Sequence, residues 1–470
     1  MNFSLFFVHF TWFSVAIAIL FPTLAGAATP PKPQNSSSSV QVPDYLNPNP
    51  NPLQFPTKPG EVKIQKTVSI TLQQALELAQ RNNRDLQVAI FQLERSRSSL
   101  RESQAALFPT LGVNGNVTNS GNGFTSSSSQ ASSSFNGSAQ LNYNLYTSGN
   151  RQATIQAAQE QLRVDEFNVE TQSLTIRLNA TTQYYNLQQA DEQVRINRSA
   201  VENAQASLRD TQARLEAGVG TQFDVLQAQV NLANSQQLLT NAISQQQIAR
   251  RQLATLLSLS QSVDITAADP VELGGLWQPT LEETIVQAFQ NRPELQQDLA
   301  QRNIYEQQRR QALSQLGPQI SLAGSYNLLD RYNDGVSVTD GYSAGIQGSL
   351  TLFDGGAAKA RAAQSKANIA IAETQFASQR DQIRFTVEQY YFQLQSNLKN
   401  IQTSSLALTQ ARQALDLARL RFQAGVGTQT EVISAENDLT TAEGNRVAAI
   451  LNYNIALANL QTSVTYRASR

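Results

Sequence analysis

The chain has 470 residues, 35 Lys+Arg against 36 Asp+Glu, and no cysteine. The near-neutral balance gives no electrostatic reason to expect nucleic acid as a partner, and the missing thiols exclude disulfides and thiolate metal sites. The single histidine, His9, lies in a segment expected to be removed, so imidazole-based catalysis and metal ligation are excluded and no cofactor is expected.

Residues 1–27 read as a secretory signal. An apolar run from Leu5 to Phe21 is followed by Ala25-Gly26-Ala27, a small-x-small cleavage site. A retained membrane anchor is the alternative, disfavoured because His9, Thr11 and Ser14 interrupt the run. The n-region lacks Lys and Arg, a departure from the usual pattern. Residues 28–68 read as a proline-rich linker, with nine of the 15 prolines between Pro30 and Pro59. Such composition predicts an extended lead that forms no helix and buries too little apolar surface to order itself.

From Thr71 the chain repeats itself. Thr71-Leu72 returns as Thr280-Leu281, Asn82 as Asn291, and Pro109-Thr-Leu111 as Pro318-Gln-Ile320. Arg214-Leu-Glu-Ala-Gly-Val-Gly-Thr221 returns as Arg421-Phe-Gln-Ala-Gly-Val-Gly-Thr428, and Tyr184-Tyr185 as Tyr391-Phe392. The matches are colinear, which is the mark of a tandem duplication. The boundaries follow: 69–258 as the first repeat, 259–279 as a connector and 280–466 as the second.

Each repeat has one layout. A short helix starts after an N-cap threonine, Thr71 or Thr280, with Gln74 or Glu283 three residues on as a capping-box partner. A longer helix ends near Leu107 or Leu316, just before Pro109 or Pro318. The apolar period then changes to two: Phe135, Ala139, Leu141 and Tyr143 face one way, as do Tyr342, Ala344, Ile346 and Leu350 over 342–352. The preceding strands start at Leu111 and Ile320, with residues 119–134 and 329–341 as connecting loops. Strands of about ten residues suit a tilted membrane-spanning hairpin; a soluble sandwich with one wet face is the alternative. After each hairpin a proline-free run covers 151–216 or 358–423, about 100 Å of helix at 1.5 Å per residue. Ala-Gly-Val-Gly-Thr follows, then a returning helix of roughly 35 residues. The glycine predicts a left-handed cap and Thr221 or Thr428 an N-cap.

The duplication, the hairpin placement, the Tyr-(Tyr/Phe)-x-Leu signature and the paired Gly-Val-Gly-Thr turns together resemble the TolC family of outer-membrane efflux proteins, over essentially residues 69–466. That resemblance implies an α+β membrane protein of tandem-duplicated long α-helical hairpins with two β-hairpins per chain. Three chains would close a twelve-stranded outer-membrane β-barrel continuous with a periplasmic α-barrel. It also implies the function: the exit duct of a tripartite efflux pump or type I secretion system in a Gram-negative outer membrane. The implied partners are two further copies, a periplasmic membrane-fusion adaptor, an inner-membrane efflux pump or ABC transporter, and outer-membrane lipid. The connector and short helices would form a belt around the duct. Conduction would be passive, since no nucleotide-binding signature is present; the lone Gly218-x-Gly220 lies between helices, not after a strand.

The resemblance also implies site residues. Gly218, Val219, Gly220 and Thr221, with Gly425, Val426, Gly427 and Thr428, would be the adaptor-contact tips. Family channels close at this end by an iris of acidic residues and links between helices. Glu436 stands at one such acidic position, with Asp224 and Glu431 as nearby alternatives; Ile433 stands at the other. Arg214, Arg419 and Arg421 are candidate tethers of the closed state. Each of these charges also reads as an ordinary solvated helix charge. Asp330 to Gly335 is similar to a calcium loop, but Tyr332 and Gly341 occupy positions that need oxygen ligands, so an exposed loop is expected. Two other classes compete. An exported coiled-coil stalk or adhesin would show a uniform heptad with no β-content, and a secreted carboxylate enzyme would gather its acids near aromatic side chains.

Overall fold

The computed structural model describes residues 46, 51, 53–120, 132–332 and 336–464. The signal segment, most of the proline-rich lead, Asp334 and Gly335 lie outside them.

The extended-lead expectation fails at its C-terminal end. A single helical turn, α1, spans Pro59–Val62, and strand β1 spans Lys66–Ile70. β1 pairs in parallel with β4 (Val263–Ala267), Val68 opposite Ile265. Leu46 is buried and its carbonyl accepts a hydrogen bond from Asn82 Nδ2 at 3.4 Å. Composition missed this because the ordering partner lies nearly two hundred residues along the chain.

Helix α2 (Leu72–Asn82) begins as its capping box predicts: Thr71 Oγ1 accepts from Gln74 N and Gln74 Oε1 accepts from Thr71 N. α3 (Arg84–Ala105) is capped by Asn83, whose side chain accepts from Asp85 N and Leu86 N. In the second repeat, α6 (Leu281–Asn291) carries the Thr280–Glu283 box, and α7 (Pro293–Ser314) has proline at its first turn, where no N–H is missed.

Between them lie β2 (Thr110–Ser120) and β3 (Ser132–Tyr146), then β5 (Gln319–Tyr332) and β6 (Thr339–Ser349). The four form one antiparallel sheet in the order β2-β3-β5-β6. The hairpins join through β3 and β5, with Ala139 opposite Tyr326. The strand bounds differ from the sequence reading at both hairpins. β2 reaches Ser120 and β3 starts at Ser132, both inside the expected loop 119–134. β5 continues through Asp330–Tyr332, where the sequence reading places an exposed loop, and β6 runs from Thr339 to Ser349, starting before residue 342 and stopping short of residue 352. Val113, Val117, Tyr342 and Ile346, all on the apolar face, stay exposed.

The long helices are α4 (Asn150–Glu216) and α8 (Ala357–Gln423), 67 residues each, so about 100 Å long. Their returning partners are α5 (Gln222–Leu256) and α9 (Gln429–Val464). α7 lies between α4 and α8, α3 lies against α4, and α9 packs on both α8 and α4. No described helix is long and apolar enough to cross a membrane. The apolar interior is strung along the helices in small clusters: Val164 with Ala300 and Ile304, Ile196 with Val447 and Leu451, and a larger group around Val387, Tyr453 and Leu460. A hairpin sheet carried at equivalent places in a duplication is not the uniform heptad a stalk requires.

Candidate functional site

Both helical hairpins turn by the same device. Gly218 (φ 75°) and Gly425 (φ 77°) adopt the left-handed conformation that glycine accepts freely. Gly218 N–H donates to Leu215 O, and Val219 N–H to Arg214 O, both at 3.0 Å. Gly425 and Val426 repeat the pattern onto Phe422 O and Arg421 O. This is a Schellman cap, which satisfies the last carbonyls of a long helix. The second glycine is needed for a different reason. A Cβ at Gly220 would lie 3.0 Å from Leu215 N, and one at Gly427 would lie 3.0 Å from Phe422 N. The Gly-x-Gly spacing is therefore fixed by a turn, and not by a dinucleotide.

Thr221 then caps α5, accepting from Asp224 N at 3.1 Å, while Asp224 Oδ2 accepts from Thr221 N and Oγ1. Asp224 is thus engaged as a capping carboxylate. Thr428 caps α9 by accepting from Glu431 N at 3.3 Å. Val219 and Val426 remain 68% exposed, apolar knobs at the two hairpin tips.

The candidate gate charges separate into two groups. Arg214 stays near the tip, 4.7 Å over the Phe422 ring and donating to Gln423 O. Arg421 reaches Glu431 at 3.8 Å in an exposed pair, worth well under 1 kcal/mol. Glu436 does not behave as a solvated charge. It is 6% exposed, enclosed by α4, α8 and α9. Arg419 Nη2 donates to Glu436 Oε1 at 3.1 Å and to Asn203 Oδ1 at 2.9 Å. Glu436 Oε2 has no partner and is buried. A cavity of about 230 Å³ beside it is lined by Asn203, Ser207, Asp210, Arg419 and Phe422. Burial pushes the Glu436 carboxyl above its ordinary range, Arg419 opposes that, and Asp210 adds to it.

Three residues that sequence reasoning passed over complete the arrangement. Gln429 Nε2 donates to Ser207 Oγ at 2.7 Å inside the helix pack. Asn203 receives Arg419. All three are plain polar residues on long helices, with no motif to mark them. Gln227 and Thr430 add a further bridge at 3.0 Å. These bonds, with Arg214 to Gln423, join the first helical hairpin to the second near the tips.

Farther along α4, Tyr184 is fully buried. Its hydroxyl donates toward Asp269 Oδ2 at 2.7 Å and Ile70 O at 3.1 Å, and Asp269 also accepts from Leu72 N. Burial raises its phenol well above the ordinary value. The tyrosine of the repeat signature therefore holds the β1–β4 sheet to the helices.

An open four-stranded sheet with an apolar face, set on paired 67-residue helices, describes a membrane channel protomer. The chain belongs to the outer membrane efflux protein family, matched over residues 75–258 and 284–464. It is 24% identical to the outer membrane protein TolC of Escherichia coli (strain K12) over 84% of this chain and 82% of that protein. It is 25% identical to the pyoverdine export outer membrane protein OpmQ of Pseudomonas aeruginosa, over 84% and 83%. The solved structure of CusC, described for its transmembrane channel formation, matches at a TM-score of 0.74 and 18% identity, over 91% of this chain and all of that one. The protein is an outer-membrane export channel.

Proposed function

We propose that the protein is the homotrimeric exit duct of a tripartite efflux or type I secretion assembly, with no catalytic step of its own. The observation that carries this is the sheet. β2 and β6 leave two unpaired edges, and an open edge is too costly to hold in lipid. Three copies would close twelve strands into one barrel, with Val113, Val117 and Ile346 toward lipid.

In this reading the tips Gly218–Thr221 and Gly425–Thr428 meet a periplasmic adaptor, presenting Val219 and Val426 as apolar knobs. The adaptor couples the duct to an inner-membrane pump or ABC transporter, which supplies the energy. Cargo choice rests with that pump; OpmQ's name ties that relative to pyoverdine.

The gate is the set of bonds between the two helical hairpins. Arg419, held to both Asn203 on α4 and Glu436 on α9, is the tether, with Gln429–Ser207 beside it. Asp224, half-buried in its cap, and exposed Glu431 are the tip acids; Glu436 acts from inside the protomer. Single-channel recording in planar bilayers tests the whole reading, with mass in detergent measured in parallel. Discrete conductance from a trimer is the expected result. A non-conducting monomer overturns it.

A further inference from the structure

The two faces of the four-stranded sheet carry charge differently. Val113, Val117 and Ile346 share the apolar face. The opposite face is polar and neutral along most of its height. Asn114 stands opposite Ser138, Asn142 opposite Ala323, and Ser325 opposite Ser343. The hydroxyls of Ser325 and Ser343 lie 2.9 Å apart, and Asn327 Nδ2 donates to Ser325 Oγ at 3.1 Å, so side chains bond to one another along this face. In the barrel proposed above it lines the lumen.

One charge interrupts it. The alternation that puts Ser325, Asn327 and Leu329 on the lumen face of β5 also puts Arg331 there, opposite Ser134 of β3. Arg331 is exposed. Gln319 begins β5 at the helical end, and Arg331 lies about 40 Å farther along at 3.3 Å per residue. That places it at the mouth remote from the helices. The acids of the described strands, Asp330 and Asp340, take the other face. Asp330 precedes Arg331 and alternates away from it. Asp340 shares the apolar face with Tyr326, whose hydroxyl donates to Asp340 Oδ2 at 2.8 Å. Among the described residues of the four strands, no acid reaches the lumen face.

We propose that Arg331 sets the charge preference of the pore: a ring of three, one from each copy, makes the outer mouth attract anionic solutes and repel cationic ones. This rests on the trimeric duct proposed above. Twelve strands about 4.8 Å apart and tilted about 40° close at a radius of about 12 Å. The arginine side chains reach inward from that wall. A solute on the axis therefore passes within roughly one Debye length, about 8 Å, of all three guanidinium groups. A mouth this wide sorts small solutes little by size, which leaves charge to discriminate. The guanidinium stays protonated and presents its N–H groups as a fork that suits phosphate and carboxylate oxygens. Rings of Arg or Lys serve anion and phosphate pores on the same principle. The favoured solutes carry several phosphate or carboxylate groups. A cationic solute outside meets the ring as a barrier to re-entry.

Planar-bilayer recording on the full chain tests this with two readouts: the reversal potential in a KCl gradient, and block by inorganic tripolyphosphate added at the barrel mouth. Arg331→Gln is expected to shift the reversal potential toward that of potassium, and Arg331→Glu to shift it further. Arg331→Lys stays with the parent. Tripolyphosphate lowers the parent conductance, and Arg331→Gln relieves that block several-fold. Asp330→Asn, one residue away on the other face, leaves both readouts unchanged. Equal potentials and equal block in the parent, Gln and Glu proteins, all conducting trimers, overturn the ring and leave the duct standing. A shift from Asp330→Asn as large as that from Arg331→Gln overturns the face assignment. A non-conducting monomer overturns the ring together with the trimer.

Discussion

Midway along the two longest helices, Tyr184 and Tyr391 hold matching places in the two repeats and do different work. Tyr184 is fully buried, and its hydroxyl locks Asp269 and the β1 carbonyl of Ile70 to α4. Tyr391 is half-buried and packs its ring against the apolar group around Val387, Tyr453 and Leu460. Both keep an edge-on aromatic neighbour, Tyr185 at 6.2 Å and Phe392 at 6.3 Å. The same contrast recurs at the tips. The Schellman bonds are equal, but the Arg419–Glu436 pair of the second hairpin maps to Gln212 and Gln229 in the first. Local backbone chemistry has been copied, while long-range partners have diverged.

The largest expected break of that comparison is at the tether. Arg419→Ala leaves a buried carboxylate without its cation and is expected to destabilise the tip by about 2–3 kcal/mol, reduced from a fully buried pair because Arg419 is 36% exposed. Gln212→Ala, its counterpart, changes little. The readout is leak conductance, together with hydrogen exchange of the tip amides. The pH sign follows from burial. The Glu436 carboxyl sits higher in the packed tip than its ordinary value of 4.5, so the packed state binds the proton better. Its ionised form weighs against packing above the raised value. Acidification from neutrality toward that ordinary value therefore restores packing in Arg419→Ala, and Glu436→Gln in the same background removes the pH response.

At the midpoint, Tyr184→Phe strips Asp269 of a buried donor and is expected to lower stability by about 1–3 kcal/mol. Tyr391→Phe is expected to fall within about 0.5 kcal/mol of the parent. Thermal unfolding in detergent separates the two; equal losses would mean that the repeats use the tyrosine alike. At the turns the comparison should vanish. Gly218→Ala and Gly425→Ala each force a left-handed alanine, costing about 1–2 kcal/mol, and the two values should agree. The smallest effect is at the caps. Thr221→Ala is expected to cost about 1 kcal/mol, and Thr428→Ala slightly less because the Thr428 cap has the longer bond, 3.3 Å against 3.1 Å.

Much of this molecule was legible from local pattern. The capping boxes at Thr71 and Thr280, the caps at Gly218 and Gly425, and the long proline-free runs are set by residues within a turn or two of one another. Each landed where expected, because a helix end must satisfy its own orphaned amides and carbonyls. The period of two placed all four strands. The duplication gave the order of the elements and the family likeness.

Tertiary structure decided what chain-distant residues do to one another. It ordered Lys66–Ile70 as a strand because β4 supplied its hydrogen bonds. It engaged Asp224 in a cap and left Glu431 in the solvent. It drew Glu436 into the interior, where Asn203, Asp210 and Arg419 converge from two other helices. A sequence fixes the bonds a residue makes with its near neighbours, since their spacing is set by the helix or strand itself. The charge state and accessibility of a buried carboxylate depend on which helices enclose it, and only the packed chain determines that.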